Sequence, residues 1–319
     1  MQRVFLAADL GGTNLRMAVV DGAGEVVFRN RRGTPSAGSQ ADVIDAIHSA
    51  IGECKQELGA EYEFAAFGAA VPAIVNSRDG LIHRSPNLPE LNDLPFAKRF
   101  SDDLGIPVVL ENDANAAAVG ERWKGASQGV LNSIHVTLGT GVGGGIIIDG
   151  SLVRGVDGTA GEIGHMAVEP QGVPCGCGSQ GCVEQYASAT AIVRIAKDLM
   201  SEYPETPLRS NLELTPLDVY EAGVKGDRLS IEVFRLVGTY LGIALGGLVN
   251  VLNPEMIVFG GGAAAGWDLF IDHLKAEIKR RAFPHPAERV RLMRSELGDD
   301  AGILGAAFLA SEKINTSIR

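Results

Sequence analysis

Two stretches of this chain repeat one pattern. "LGGTNLRMAVVDG" begins at Leu10 and "LGTGVGGGIIIDG" begins at Leu138. Each opens with Leu-Gly, closes with Asp-Gly at the same separation, and follows an apolar run that reads as a strand. Strand, glycine loop and second strand make a hairpin, and meeting the unit twice predicts a duplicated architecture. The expected fold class is α/β, with two similar domains that each offer a glycine-rich hairpin. The length agrees, since 319 residues exceed what one hydrophobic core usually supports. The pattern predicts strands over 4–9, 15–20, 25–30, 64–71, 106–110, 133–138, 145–149 and 255–259. Ile44, Ile47, Ile51, Cys54 and Leu58 recur at helical spacing over 41–58. Longer helical patterns cover 183–200 and 228–251, a small-residue helix ends the chain, and 201–216 reads as a loop.

The loops also exclude two common nucleotide sites. "GTGVGG" (139–144) has the form G-x-G-x-x-G, but a strand-like "GIIIDG" follows where a dinucleotide fold needs a helix. No G-x-x-x-x-G-K-[ST] motif is present. What remains is a hairpin whose glycine amides can face an anion. Asp9 directly precedes the first loop, a placement that suits water-mediated Mg²⁺ binding. An acid satisfied by turn amides at a strand end is the plainer reading of the same residue. Neither loop contains lysine or arginine, so neutralising a bound polyanion would fall to Mg²⁺ and amide dipoles.

A net charge of −11 argues against a nucleic-acid partner. No apolar run reaches the roughly 18 residues of a membrane span, and the chain opens in the strand-like "VFLAADL" without a basic leader. A cytoplasmic protein with no membrane partner is expected.

Three of the four cysteines fall within "CGCGSQGC", and His165 stands ten residues before the first of them. Cys54, alone in a helical pattern, reads as a small core residue. The redox motif C-x-x-C is absent, and a bridge from Cys175 to Cys177 is disfavoured by geometry. Cys175, Cys177 and Cys182 with His165 suit tetrahedral Zn²⁺. Four protein ligands leave no place for a reacting water, so the zinc is expected to be structural.

In their joint order these motifs resemble the ROK sugar kinases of the actin-like, ribonuclease-H-like ATPase superfamily. "DLGGTN" (9–14) is similar to the first phosphate loop and "LENDANAAAVGE" (110–121) to the catalytic segment. "VTLGTGVGGGIIIDGSLVRGVDGTAGEIGH" (136–165) resembles the long family signature, "CGCGSQGCVEQYAS" (175–188) the zinc motif, and "VFGGG" (258–262) the adenosine turn. The resemblance implies two ribonuclease-H-like domains around an interdomain cleft. A small domain over 1–112, joined by the final helix 301–319, would precede a large zinc-bearing domain over 113–300. It implies ATP- and Mg²⁺-dependent transfer of a phosphoryl group to a hexose 6-hydroxyl, most nearly as in bacterial glucokinases, and commonly a homodimer.

The resemblance further implies roles for single residues. Asp113 would be the general base. Asn87, Asn112, Asp113, Glu162, His165 and Glu184 would hold the sugar. Asp9, Gly11, Gly12, Thr13 and Asn14 with Gly139, Thr140 and Gly141 would hold the triphosphate and its Mg²⁺, and Gly261 and Gly262 would lie against the nucleoside. A helix-capping role is the plainer reading of Asn112 or Asp113. Ala70 and Ala73 stand where the family often has glycine, so their methyl groups are expected to bear on the sugar's identity. Alternatives are a kinase for mannose, fructose, N-acetylglucosamine or N-acetylmannosamine, a donor other than ATP such as ADP or polyphosphate, or a non-catalytic sugar sensor. A DNA-binding repressor is disfavoured by the charge and by the early position of Asp9.

Overall fold

The structure is a computed structural model that describes residues 1–35 and 38–317. Its strands are β1 (Gln2–Leu10), β2 (Asn14–Asp21), β3 (Val26–Gly33), β4 (Tyr62–Val71), β5 (Ile74–Asn76), β6 (Leu81–Arg84), β7 (Val108–Asn112), β8 (Ser133–Leu138), β9 (Val142–Ile148), β10 (Ser151–Leu152), β11 (Met256–Gly260) and β12 (Arg291–Arg294). The first sheet has the order β3-β2-β1-β4-β7 and the second the order β10-β9-β8-β11-β12. In the first, β3, β2 and β1 pair antiparallel, and β4 and β7 continue in parallel. In the second, β10 is antiparallel to β9, and β8, β11 and β12 are parallel neighbours. The two halves therefore share one strand order, the actin-like ATPase arrangement. The two glycine loops are the turns after the first strand of each sheet.

Why β1 reads as an unbroken apolar run is clear from its surroundings. Val4, Leu6 and Ala8 point into a core with Val43, Ile47 and Ile51 of the helix Gln40–Leu58. Phe5 and Ala7 point the other way, into a core with Ile303, Leu304 and Ala307 of the helix Ala301–Ser317. A parallel sheet covered on both faces needs apolar side chains at both phases of the two-residue period. Ala70 belongs to this second core and is fully buried there, so its methyl group packs under the last helix. That removes Ala70 from the positions expected to crowd a sugar. Ala73 is buried in the core on the opposite face.

The chain divides into two compact units. The first comprises Met1–Leu131, Gly145–Gly161 and Ser295–Arg319, and the second Asn132–Gly144 and Glu162–Arg294. The helix Asp113–Lys124 thus falls in the first unit, whereas the resemblance had implied a boundary at residue 112. Within the first unit this helix packs closely on Ala301–Ser317. A Cβ on Gly305 would overlap the Ala116 carbonyl, and one on Gly120 the Ala301 carbonyl. Glu121, fully buried, accepts from Ala126 N (2.8 Å), Leu297 N (3.0 Å), Glu296 N and the Ser295 hydroxyl. A buried carboxylate is tolerated when charge-assisted hydrogen bonds replace its water.

The second unit has a single large core that includes Phe234, Leu241, Leu245 and Phe270. Its longest helix, Arg228–Leu252, is long and apolar enough by composition to cross a membrane, contrary to the sequence expectation. Its apolar face instead lies in this core, with Leu241 and Leu245 fully buried. The predicted helix over 183–200 is two pieces, Glu184–Ala187 and Ala189–Leu199, because the Ser188 side chain caps the second by accepting from Ala191 N. The sequence reading missed the β5-β6 hairpin, the edge strand β12 and the helices Phe96–Leu104 and Pro216–Val224.

Candidate active site

In the first loop the backbone is held from within the hairpin and from Thr34, just past β3. Gly11 N donates to Asn14 O (2.8 Å), Thr34 Oγ1 to Gly11 O (2.7 Å), and Thr34 N to Thr13 O. Gly12 lies beside Asn87, whose Cβ would be 3.5 Å from a Cβ on the glycine. The Asn14 side chain accepts from Arg31 Nε. The antiparallel register sets Asp9 opposite Arg16, with Oδ2 and Nη1 3.7 Å apart. Gly302, in the first turn of the last helix, approaches the same carboxylate.

Burial pushes the Asp9 carboxyl up to about 6. The Arg16 charge pulls the other way, and Asp299 adds to the rise. The unfolded value is 3.8, so the folded state holds this proton more tightly. The corresponding stability is present below about pH 4 and is lost as pH rises through about 6. Asp9→Asn is therefore expected to raise the thermal midpoint of the metal-free protein at pH 8 by several degrees and to change it little at pH 4. Calorimetry in chelator at the two pH values checks this.

Strand β7 ends where the helix Asp113–Lys124 begins, and Asn112 is its N-cap. Its Oδ1 accepts from Ala114 N (3.0 Å) and Asn115 N (3.1 Å), and its Nδ2 donates to Ala73 O (3.3 Å). The capping reading of this pair therefore belongs to Asn112. Its amide keeps one unassigned N–H. Asp113, the first helical residue, is half-buried and accepts from Ala114 N through Oδ1. The position sets the side chain on a rigid backbone at the positive end of a helix.

In the second unit, Gly139, Thr140 and Gly141 form the other loop. It is tied to the start of the helix Ala189–Leu199 through Ala189 N to Gly139 O (2.8 Å) and Thr190 Oγ1 to Thr140 O (3.0 Å). Gly139, Thr140 and Gly262 line one cavity of about 340 Å³, walled by Ile192, Tyr220, Phe234 and Ala263. Next to it, Gly261 has φ 85°, and a Cβ there would stand 2.5 Å from the Leu138 carbonyl oxygen. Only glycine satisfies both the backbone conformation and the close approach.

The cysteine knot lies in the same unit. One ligand atom from each of His165, Cys175, Cys177 and Cys182 falls within 4.8 Å of every other. His165 Nδ1 is 3.6 Å from Cys175 Sγ, and the Cys177 and Cys182 sulfurs are 3.7 Å apart. Around a tetrahedral metal with bonds of about 2.3 Å to sulfur and about 2.0–2.1 Å to nitrogen, neighbouring donors stand about 3.5–3.8 Å apart. The donor set and its spacing fit such an ion. Burial pushes the Cys182 thiol up to about 12, so a cation is what would keep it a thiolate at neutral pH. The other ring nitrogen, Nε2, faces the Glu162 carboxylate at 3.9 Å. Glu184 reaches both neighbours of the knot. Its Oε2 accepts from Val142 N (3.1 Å) behind the second glycine loop, and its Oε1 stands 4.0 Å from Cys175 Sγ.

Comparison with known proteins shows what this assembly of parts belongs to. Residues 5–313 match the ROK family. The chain belongs to the ROK family. Among its relatives is the glucokinase of Halalkalibacterium halodurans, 36% identical, with 98% of this chain and 97% of that one aligned. The crystal structure of a ROK family glucokinase from Streptomyces griseus in complex with glucose and AMPPNP is similar with a TM-score of 0.82. It is 34% identical and is matched over 97% of this chain and 99% of that one. A ROK family transcriptional regulator, a homologue of the Escherichia coli Mlc protein, is similar with a TM-score of 0.89 at 29% identity. This chain covers 78% of that regulator.

Within the ROK frame, the first unit brings Asp9, the first loop, Asn87, Asn112 and Asp113 onto one scaffold. The second gathers Glu162, His165, Glu184, the cysteines, the second loop and Gly261–Gly262. Sequence reasoning overlooked several partners. Arg16 was legible in principle, because pairing Leu10 with Leu15 across the four residues "GGTN" sets Asp9 opposite Arg16. Glu121, and the Glu111–Arg154 pair described below, left no such local signal.

Proposed function

We propose that this ROK protein is an ATP- and Mg²⁺-dependent hexokinase that transfers a phosphoryl group to the 6-hydroxyl of a hexose, glucose first. The observation that supports it most is the chain-long likeness to a ROK glucokinase crystallised with glucose and an ATP analogue. Asp113 accepts the hydroxyl proton while the O6–P bond forms and the bond to the leaving ADP breaks. The transition state is loose, so the rigid setting of Asp113 contributes more than its basicity. Asn112 has its carbonyl oxygen committed to the cap and therefore donates to the sugar through its remaining N–H. Asn87, Glu162, His165 and the Oε1 side of Glu184 take the other hydroxyls.

Both glycine loops offer amides to phosphate oxygens, with Thr13 and Asn14 beside the first. The cavity beside Gly261 and Gly262 receives the nucleoside, and Asp9 would hold Mg²⁺. When bound, Mg²⁺ neutralises phosphate charge, and Arg16 supplements it where the loops carry no cation. The knot holds a structural Zn²⁺ with a complete protein shell. Nδ1 of His165 serves that ion and leaves Nε2 for the substrate.

The test is a coupled assay of glucose, mannose, fructose, N-acetylglucosamine and N-acetylmannosamine against ATP, ADP and polyphosphate. The expected outcome is the highest kcat/KM for glucose with ATP. A second reading, a sugar-responsive regulator without catalysis, is favoured by the likeness to the ROK transcriptional regulator. Binding of glucose without turnover of any donor would decide for it.

A further inference from the structure

Glu111 is a buried acid that the roles above leave unused. It is 1% exposed and stands two residues before Asp113. Its Oε1 accepts three hydrogen bonds, from Ser77 Oγ (3.0 Å), Asn112 N (3.1 Å) and Asn115 Nδ2 (3.1 Å). Its Oε2 accepts from Arg154 Nε at 2.6 Å. Two of these bonds straddle Asp113: one holds the backbone N–H of Asn112 just before it, and the other fixes the Asn115 side chain in the first turn of the helix it begins. Burying a carboxylate beside a catalytic turn costs several kcal/mol unless partners replace its water. Here one oxygen is saturated by neutral donors, and the other is left to a single cation.

That cation comes from a distant part of the chain, the stretch Gly145–Gly161 that belongs to the first unit. Around Arg154 the backbone is itself constrained. Arg154 O accepts from Ala160 N (3.1 Å), Val153 N donates to Ile146 O (2.9 Å), and a Cβ on Gly158 would overlap the Val75 carbonyl. The arginine is 37% exposed, so its role is not to fill a core. Its planar guanidinium reaches Glu111 through Nε with a fixed direction that an ammonium group lacks.

We infer that Glu111 and Arg154 are a positioning pair for Asp113. Glu111 sets the direction of the Asn112–Asp113 turn, and Arg154 holds Glu111 in the orientation that does so. The inference rests on the hexokinase reading of Asp113. A misplacement of about 1 Å at a reacting group can cost about 10²-fold in rate. Loss of the pair should therefore appear in kcat and leave nucleotide binding unchanged.

The test compares wild type, Glu111→Gln, Arg154→Ala and Arg154→Lys in steady-state glucose phosphorylation, with thermal midpoints measured alongside. The expected result is a kcat lowered about 10- to 100-fold in Glu111→Gln and Arg154→Ala, with ATP KM within about twofold of wild type. Arg154→Lys should fall between Arg154→Ala and wild type. A kcat within about twofold of wild type in Arg154→Ala overturns the inference, as does a loss of kcat matched by an equal change in ATP KM. If Glu111→Gln fails to fold, the exposed Arg154 variants decide alone. Wild-type protein that turns over none of the sugars overturns the hexokinase reading and this inference together. A failure confined to the variants overturns only the positioning pair.

Discussion

Asp113→Asn is expected to lower kcat for glucose phosphorylation by about 10²–10⁴-fold, the range that a positioned proton acceptor contributes. The substitution is conservative for the fold. Asn112 supplies the helix cap, and an amide oxygen can replace Asp113 Oδ1 as acceptor for Ala114 N. Glucose affinity, measured calorimetrically without nucleotide, should stay within about threefold of wild type, because the change removes a proton acceptor and keeps a polar group of the same size. A variant that binds glucose normally but retains more than about a tenth of wild-type kcat would show that the proton goes elsewhere.

Cys177→Ala should strip the metal and raise the sugar KM by about 10- to 100-fold, the usual cost of losing a partner that orients a functional histidine. The site makes this the cleanest of the three cysteine changes. Cys177 is exposed whereas Cys175 and Cys182 are buried, so its removal takes a ligand without opening a cavity. His165 and Glu184 both depend on the knot, one as a donor to the ion and the other through its position two residues after Cys182. Metal analysis should find about one zinc per wild-type chain and less than about half in the variant. A folded, zinc-poor Cys177→Ala protein with an ordinary sugar KM would separate the knot from the substrate site.

Much of the fold was legible because it depends on local pattern repeated twice. The apolar run before Leu10, the glycine loop and the closing Asp-Gly specify a hairpin, and the same signals at Leu138 specify its counterpart. The cysteine–histidine cluster was legible for a similar reason, since three thiols in eight residues converge with little help from the rest of the chain. The edge strand Arg291–Arg294 was not, because four residues with two arginines have no alternation strong enough to mark a strand. Nor were Glu111 and Glu121 legible. Their most distant partners lie 43 and more than 170 residues away in the chain, and each acid alone looks like an ordinary helix or strand residue. Asn112 shows the limit from the other side. The pattern "ENDAN" allowed either Asn112 or Asp113 to cap, and only the hydrogen bonds assign the cap to the first.

The sheet formed by β1–β4 and β7 has an uneven history during synthesis. One of its faces is covered early, by the helix Gln40–Leu58. The other, carrying Phe5, Ala18, Val20 and Ala66, is covered by Ile303, Leu304, Ala306 and Ala310, which emerge from the ribosome only after the whole second unit. At roughly 5–20 residues per second, that face lacks its last helix for about ten seconds or more while the intervening chain is made. The nascent first unit is therefore a half-clad sheet, open to wrong partners and a natural client for a chaperone. Truncations that trim the last helix should be felt first as aggregation at the ribosome.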